Sequence, residues 1–97
     1  MTITKNQNGN ACTLSIEGRI DTITAPDLEK EIQAVSGAES LVIDCAKMDY
    51  ISSAGLRVLL GGHKAFAPKG GMTVTNVNDS VREIFEVTGF QEILNIK

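Results

Sequence analysis

Basic charge, cysteine, histidine and long apolar runs are all scarce in this sequence, and each shortage removes a class of function. Nine Lys and Arg stand against twelve Asp and Glu, a formal net charge of −3, so no positive field draws in phosphate backbones or anionic lipid. Nucleic acid is not an expected partner. The only cysteines, Cys12 and Cys45, lie in different segments without a CxxC pair, which gives neither a disulfide framework nor a zinc site and fits a reducing cytoplasm. They read as buried small apolar residues, because strand positions lack the electropositive setting that stabilises a thiolate. The start, Met1-Thr2-Ile3-Thr4-Lys5, opens no signal peptide, and no later apolar stretch approaches the roughly 20 residues of a membrane span. Export and membrane insertion are not expected. His63, the single histidine, has no evident nucleophile to serve and no GxSxG beside it, so it reads as a solvated helix residue. Gly61-Gly62-His63-Lys64 lacks the rest of a P-loop, and Asp21, Asp27, Asp44 and Asp49 are spread without metal-ligand spacing. No cofactor or metal is expected.

What is present fits one soluble domain. Ninety-seven residues, 42% hydrophobic and 22% charged, suit a single hydrophobic core and leave no room for a second. Ile3 begins a short strand, Asn8-Gly9 is a favoured hairpin turn pair, and Cys12, Leu14 and Ile16 alternate with polar residues in the returning strand. Thr24 with Asp27 resembles a capping box, Pro26 sits in the first turn, and Leu28, Ile32 and Val35 continue at helical spacing, which predicts a helix over Ala25–Val35 ended by Ser36-Gly37-Ala38. Leu41-Val42-Ile43 lacks alternation and predicts a central strand covered on both faces. Ser52-Ser53 before Ala54-Gly55-Leu56-Arg57-Val58-Leu59-Leu60 is a polar cap followed by an apolar helical run, so a helix starts at or beside Ser53 and ends near Ala65 or Phe66. Pro68-Lys69-Gly70-Gly71 predicts a turn and Met72–Val77 a strand. Ser80 and Glu83 form a second apparent capping box for a helix carrying Val81, Ile84, Phe85 and Thr88, with Gly89 placed to take a left-handed exit. Phe90 is expected to pack back on Phe85, and Ile93–Ile96 can add a short edge strand. The order is that of an α/β domain with a mixed sheet of four to five strands and packed helices.

The segment with most chemical content is Asp49-Tyr50-Ile51-Ser52-Ser53-Ala54-Gly55-Leu56-Arg57. It delivers two hydroxyls to a helix start after a central strand, where free N–H groups and the helix dipole favour added negative charge. Either serine can equally serve as a plain helix cap.

The run Tyr50 to Leu60 resembles the phosphorylation loop and following helix of bacterial anti-sigma factor antagonists, the single-domain STAS family. Gly18-Arg19-Ile20-Asp21, Leu41-Val42-Ile43-Asp44, and Val81-Arg82-Glu83-Ile84-Phe85 with Gly89-Phe90 resemble further family segments, so the likeness covers most of the chain. The resemblance implies a cytoplasmic, non-enzymatic partner switch. The unmodified protein would bind an anti-sigma factor that is also a GHKL-type serine kinase, freeing the sigma factor. Phosphorylation would reverse this, and a PP2C-type serine phosphatase would restore binding. Carried over by position, the phosphoacceptor is Ser53, Ser52 stands where many relatives have aspartate, and Asp21 is the neighbouring loop aspartate. Asp21, Thr22, Ser52, Ser53, Ala54, Gly55, Leu56 and Arg57 then form the partner-facing block. At Arg57 other branches carry glycine, and the extra C-terminal helix of some members has no counterpart. An alternative within the family is a constitutive STAS subunit of a lipid-transport ATPase complex. Asp44 superficially resembles a receiver-domain phosphoacceptor, but the acidic pair of such domains is missing.

Overall fold

A computed structural model describes residues 1–35 and 37–97. The chain runs β1 (Thr2–Asn8), β2 (Ala11–Ile20), α1 (Ala25–Ala34), β3 (Ser40–Ile51), α2 (Ser53–Phe66), β4 (Gly71–Thr75), α3 (Asp79–Thr88), a 3₁₀ turn (Phe90–Glu92) and β5 (Asn95–Ile96). The five strands lie in sequence order, with β1 antiparallel to β2 and every later pair parallel. This is the mixed sheet with helical crossovers that the element order implied.

The first hairpin turn sits one residue later than Asn8-Gly9 suggests. Asn8 pairs with Ala11, so the loop is Gly9-Asn10, and positive φ falls on Gly9 at +63°. A glycine with positive φ at the first central position is the II′ arrangement, which follows strand twist better than an unprimed turn.

The sheet is covered on one face only, which corrects the expectation of a doubly buried central strand. Cys12, Leu14 and Ile16 of β2, Leu41, Ile43 and Cys45 of β3, and Met72 and Val74 of β4 are buried beneath the helices. Between them Thr13, Val42 and Thr73, then Ser15, Asp44 and Thr75, line up in register on a half-exposed face. Val42 therefore does alternate, but its neighbours are all β-branched or long, so one-letter hydropathy hides the period. β3 also runs on to Ile51, because two register shifts against β2 let Met48 and Ile51 return to the core after exposed Ala46 and Lys47. Such bulges add a residue to one strand and re-aim the side chains beyond it.

Two helix starts differ from the capping boxes expected. Thr24 is helical at φ −91° and makes no side-chain cap to α1. Asn78, rather than Ser80, caps α3: its Oδ1 accepts from Val81 N–H at 2.9 Å, while its Nδ2 donates to the Met48 carbonyl at 2.8 Å. α1 ends at Ala34, one residue before the expected Val35; of its expected terminator, Ser36 lies outside the described residues. β4 stops at Thr75 and Asn76 takes φ +59°, leaving Val77 outside the strand. Gly89 closes α3 in the left-handed conformation at φ +78°, as expected. Phe90 packs against the core from the 3₁₀ turn, and Thr88 faces out with its hydroxyl donating to the Ile84 carbonyl at 2.6 Å.

α2 is the buried centre of the helical layer, with Gly55, Leu56, Val58, Leu59, Gly62 and Phe66 facing inward. Its glycines do different work. A β-carbon on Gly62 would stand 3.0 Å from Met72 Sδ and 3.4 Å from Ile32 Cδ1, whereas one on exposed Gly61 would meet nothing within 4 Å. Gly61→Ala should therefore raise unfolding stability by about 0.5 to 1 kcal/mol through helix propensity. Thermal denaturation would check this, with Gly62→Ala giving the smaller gain or a loss.

Candidate functional site

Parallel pairing carries β2 and β3 side by side to their ends, where Ile20 pairs with Ile51. The Ser52 N–H then donates to the Ile20 carbonyl at 2.8 Å. Asp21 and Ser53 each directly follow one partner of that bond, so a contact between buried strand ends sets the two polar residues next to each other. Close packing holds the helix there as well. An added β-carbon on Gly55 would lie 2.7 Å from both Ile20 Cγ2 and Ile51 Cγ1, a separation that only glycine permits.

The Asp21 side chain works inward on its own turn. Its Oδ1 accepts from the N–H groups of Ile23 and Thr24, each at 3.0 Å. The Thr24 hydroxyl accepts from Asp21 N–H at 2.9 Å and lies within donating distance of the Arg19 carbonyl at 3.0 Å and Asp21 Oδ1 at 3.2 Å. The Ala25 N–H closes the turn on the Asp21 carbonyl at 2.8 Å. The Thr24 amide above all, then Ile23, the Thr24 hydroxyl and Arg19, hold the Asp21 carboxyl below the usual carboxylate range. It is therefore ionised at neutral pH, and the turn loses this support only in acid, as pH falls through that lowered value. Aspartate bonding to amides two and three residues on is ordinary Asx-turn chemistry, legible in Asp21-Thr22-Ile23-Thr24. Beside it the Arg19 guanidinium sits 4.5 Å from the Tyr50 ring centroid, a cation–π contact between register partners that sequence pattern did not single out.

On α2, Ser52 is the cap: its backbone is extended and its Oγ accepts from Gly55 N–H at a long 3.4 Å. Ser53 is the first helical residue and is exposed, and its hydroxyl has no hydrogen-bond partner among the described residues. Of the two serines, then, Ser52 is the helix cap. Thr22 and Arg57 are also exposed, while Asp21, Ser52 and Ala54 are half-buried. Gly55 and Leu56 are buried and support the site from beneath. A groove of about 240 Å³ runs beside the helix start, lined by Thr22, Ala25, Pro26, Glu29, Ala54, Arg57 and Val58.

Other polar candidates have local partners or poor chemistry. Asp44 accepts from Asn76 Nδ2 at 2.9 Å and Ala46 N–H at 3.1 Å, and Asn76 foremost keeps it below the ordinary range. Cys12 and Cys45 are buried and unpaired with each other. Burial, with Asp44 second, pushes the Cys45 thiol up to about 12, and burial raises Cys12 too, so neither offers a thiolate. His63 is half-buried rather than solvated, its Nδ1 enclosed without a partner among the described residues. Among those residues no group of three or more His, Cys, Asp or Glu is placed to hold a metal ion, and no helix is long and apolar enough to cross a membrane.

The arrangement offers an exposed serine hydroxyl, without a hydrogen-bond partner among the described residues, on a helix start joined through the Ser52–Ile20 backbone bond to the Asp21 turn. Residues 2–97 match the STAS domain family. The anti-sigma-B factor antagonist of Bacillus subtilis is 32% identical over 92 residues, covering 93% of this chain and 84% of that protein. A crystal structure of an anti-sigma factor antagonist from Mycobacterium paratuberculosis superposes with a TM-score of 0.88 at 27% identity, over 98% of this chain and 83% of that one. The phosphorylated form of the Bacillus protein SpoIIAA shares the fold at a TM-score of 0.75 and 12% identity, over 99% of this chain and 91% of that one.

Proposed function

Because the chain belongs to the STAS domain family, we propose that it is an anti-sigma factor antagonist working by partner switching, with Ser53 as the switch. Unmodified, it binds an anti-sigma factor of the GHKL serine-kinase type through Asp21, Thr22, Ser52, Ser53, Ala54 and Arg57, on the support given by Gly55 and Leu56. The kinase moves the γ-phosphoryl group of ATP to Ser53 Oγ, releasing ADP, while the hydroxyl proton passes to a base of the kinase. A PP2C-type serine phosphatase hydrolyses the ester and restores the binding form. In this scheme catalysis belongs to the partners, and the chain works in the cytoplasm where they do.

The observation that carries the reading is the difference between the serines: Ser52 caps the helix, while the exposed Ser53 hydroxyl has no hydrogen-bond partner among the described residues. A serine spent on capping would have to give up a bond worth about 1 kcal/mol before it could react. Ser53 has no such cap bond to break. Its first-turn position also accepts a phosphate without melting the helix, since N-terminal N–H groups and dipole favour negative charge.

The test is a pull-down from source-cell lysate with wild-type and Ser53→Asp baits. A GHKL-type serine kinase held by the wild type and lost from Ser53→Asp is expected. A transporter ATPase held equally by both baits would instead support a constitutive lipid-transport subunit.

A further inference from the structure

We infer that Arg57 clamps the phosphate on Ser53 within the same helix, so that modification both adds charge and withdraws Arg57 from the partner-facing surface. This rests on the reading of Ser53 as the phosphoacceptor. Ser53 and Arg57 are four residues apart in α2 and both are exposed. Residues at that spacing face each other, with about 5 to 6 Å between β-carbons. Helical side chains lean toward the N-terminus, a direction that puts the turn carrying Ser53 within reach of the long Arg57 side chain. An acidic group four residues before a basic one is also the more favourable order of the two.

Competition for Arg57 is weak. The first turn of α2 holds no acidic residue, and the single salt bridge among the described residues joins Lys47 to Glu17 at 4.0 Å. One oxygen of the Asp21 carboxylate, Oδ1, is held by the amides of its own turn, and no ion pair joins Asp21 to Arg57 among the described residues. From α1, Glu29 lines the same groove as Arg57, but as a single charge on another helix. A phosphate dianion on the same helix outweighs it, and its oxygens suit the guanidinium fork bidentately. Arg19 is no rival for the phosphate, being stacked on Tyr50.

The test uses the full chain with phosphoserine installed at position 53 during translation, in wild type, Arg57→Ala and Arg57→Lys. The second ionisation of the phosphate is followed by ³¹P NMR, and the Arg57 Nε–H resonance by ¹⁵N correlation. Wild type should titrate lower than Arg57→Ala by about 0.15 to 0.4 pH unit, with Arg57→Lys between them. The gap should close near 1 M salt, where the Debye length is about 3 Å, and the Nε–H resonance should move on phosphorylation. Identical titrations of wild type and Arg57→Ala, or an unmoved Nε–H, would overturn the clamp. No kinase enters the measurement, so the two ideas fail separately. A kinase that ignores Ser53 refutes the functional reading, whereas equal titrations refute only the clamp.

Discussion

Phosphorylation of Ser53 should weaken binding to the anti-sigma kinase about a hundredfold, which corresponds to about 2.8 kcal/mol, without unfolding the chain. The phosphate brings roughly −1.5 to −2 charges into a surface that otherwise offers a neutral hydroxyl. Asp21 cannot turn away to relieve the repulsion, because its carboxylate is tied to the amides of Ile23 and Thr24. A desolvated charge without a partner across an interface costs several kcal/mol, enough to supply the whole loss. Ser53→Asp brings one charge and should show a smaller loss in the same direction, while Ser53→Ala should bind like the unmodified protein. Calorimetric titration of the purified kinase against the three forms measures this. An equal affinity for phosphorylated and unmodified protein would refute the electrostatic switch.

Gly55→Ala should lower stability by about 1 to 3 kcal/mol, although alanine is by itself the better helix former by about 1 kcal/mol. The new methyl carbon would fall 2.7 Å from Ile20 and from Ile51. Both neighbours are almost completely buried, so neither can swing into solvent, and the helix start must move off the strand ends. For a domain of this size each kcal/mol lowers the melting temperature by about 4 to 8 °C. Displacing the helix also separates Ser53 from Asp21, so kinase binding should fall beyond what the lower folded fraction explains. A melting temperature for Gly55→Ala at or above the wild type would contradict the close packing. Gly61→Ala, six residues along the same helix, should change stability in the opposite sense.

These effects rest on features that the sequence exposed to different degrees. α2 was legible because a polar pair precedes a clean apolar run, and the family likeness fixed attention on Ser53. Which serine caps was not legible, since both types suit the position and only the extended backbone at Ser52 decides. The second half of β3 was hidden because its register shifts break strict alternation, placing buried residues at Cys45, Met48 and Ile51. That hidden stretch is what brings the Asp21 turn alongside the start of α2. At α3, Asn78 and Ser80 compete as caps on local grounds. Asn78 prevails through a hydrogen bond to Met48, thirty residues away in sequence, which no local pattern contains. The family likeness drew attention to Asp21, but its inward hydrogen bonding depends on a turn closed by Thr24, a residue that in sequence reads as part of the helix cap.

In this scheme Ser53 alone carries the switch, and phosphate mapping tests that most directly. The purified kinase, ATP and magnesium would be incubated with wild-type chain and with Ser53→Ala, followed by intact-mass analysis, site mapping and a count of the kinase that stays bound. The expected result is one phosphate on Ser53 of the wild type with release of the kinase, and an unmodified Ser53→Ala that keeps it. Stoichiometric phosphate on Ser53→Ala, or a kinase that stays bound to wild type phosphorylated at Ser53, would contradict it.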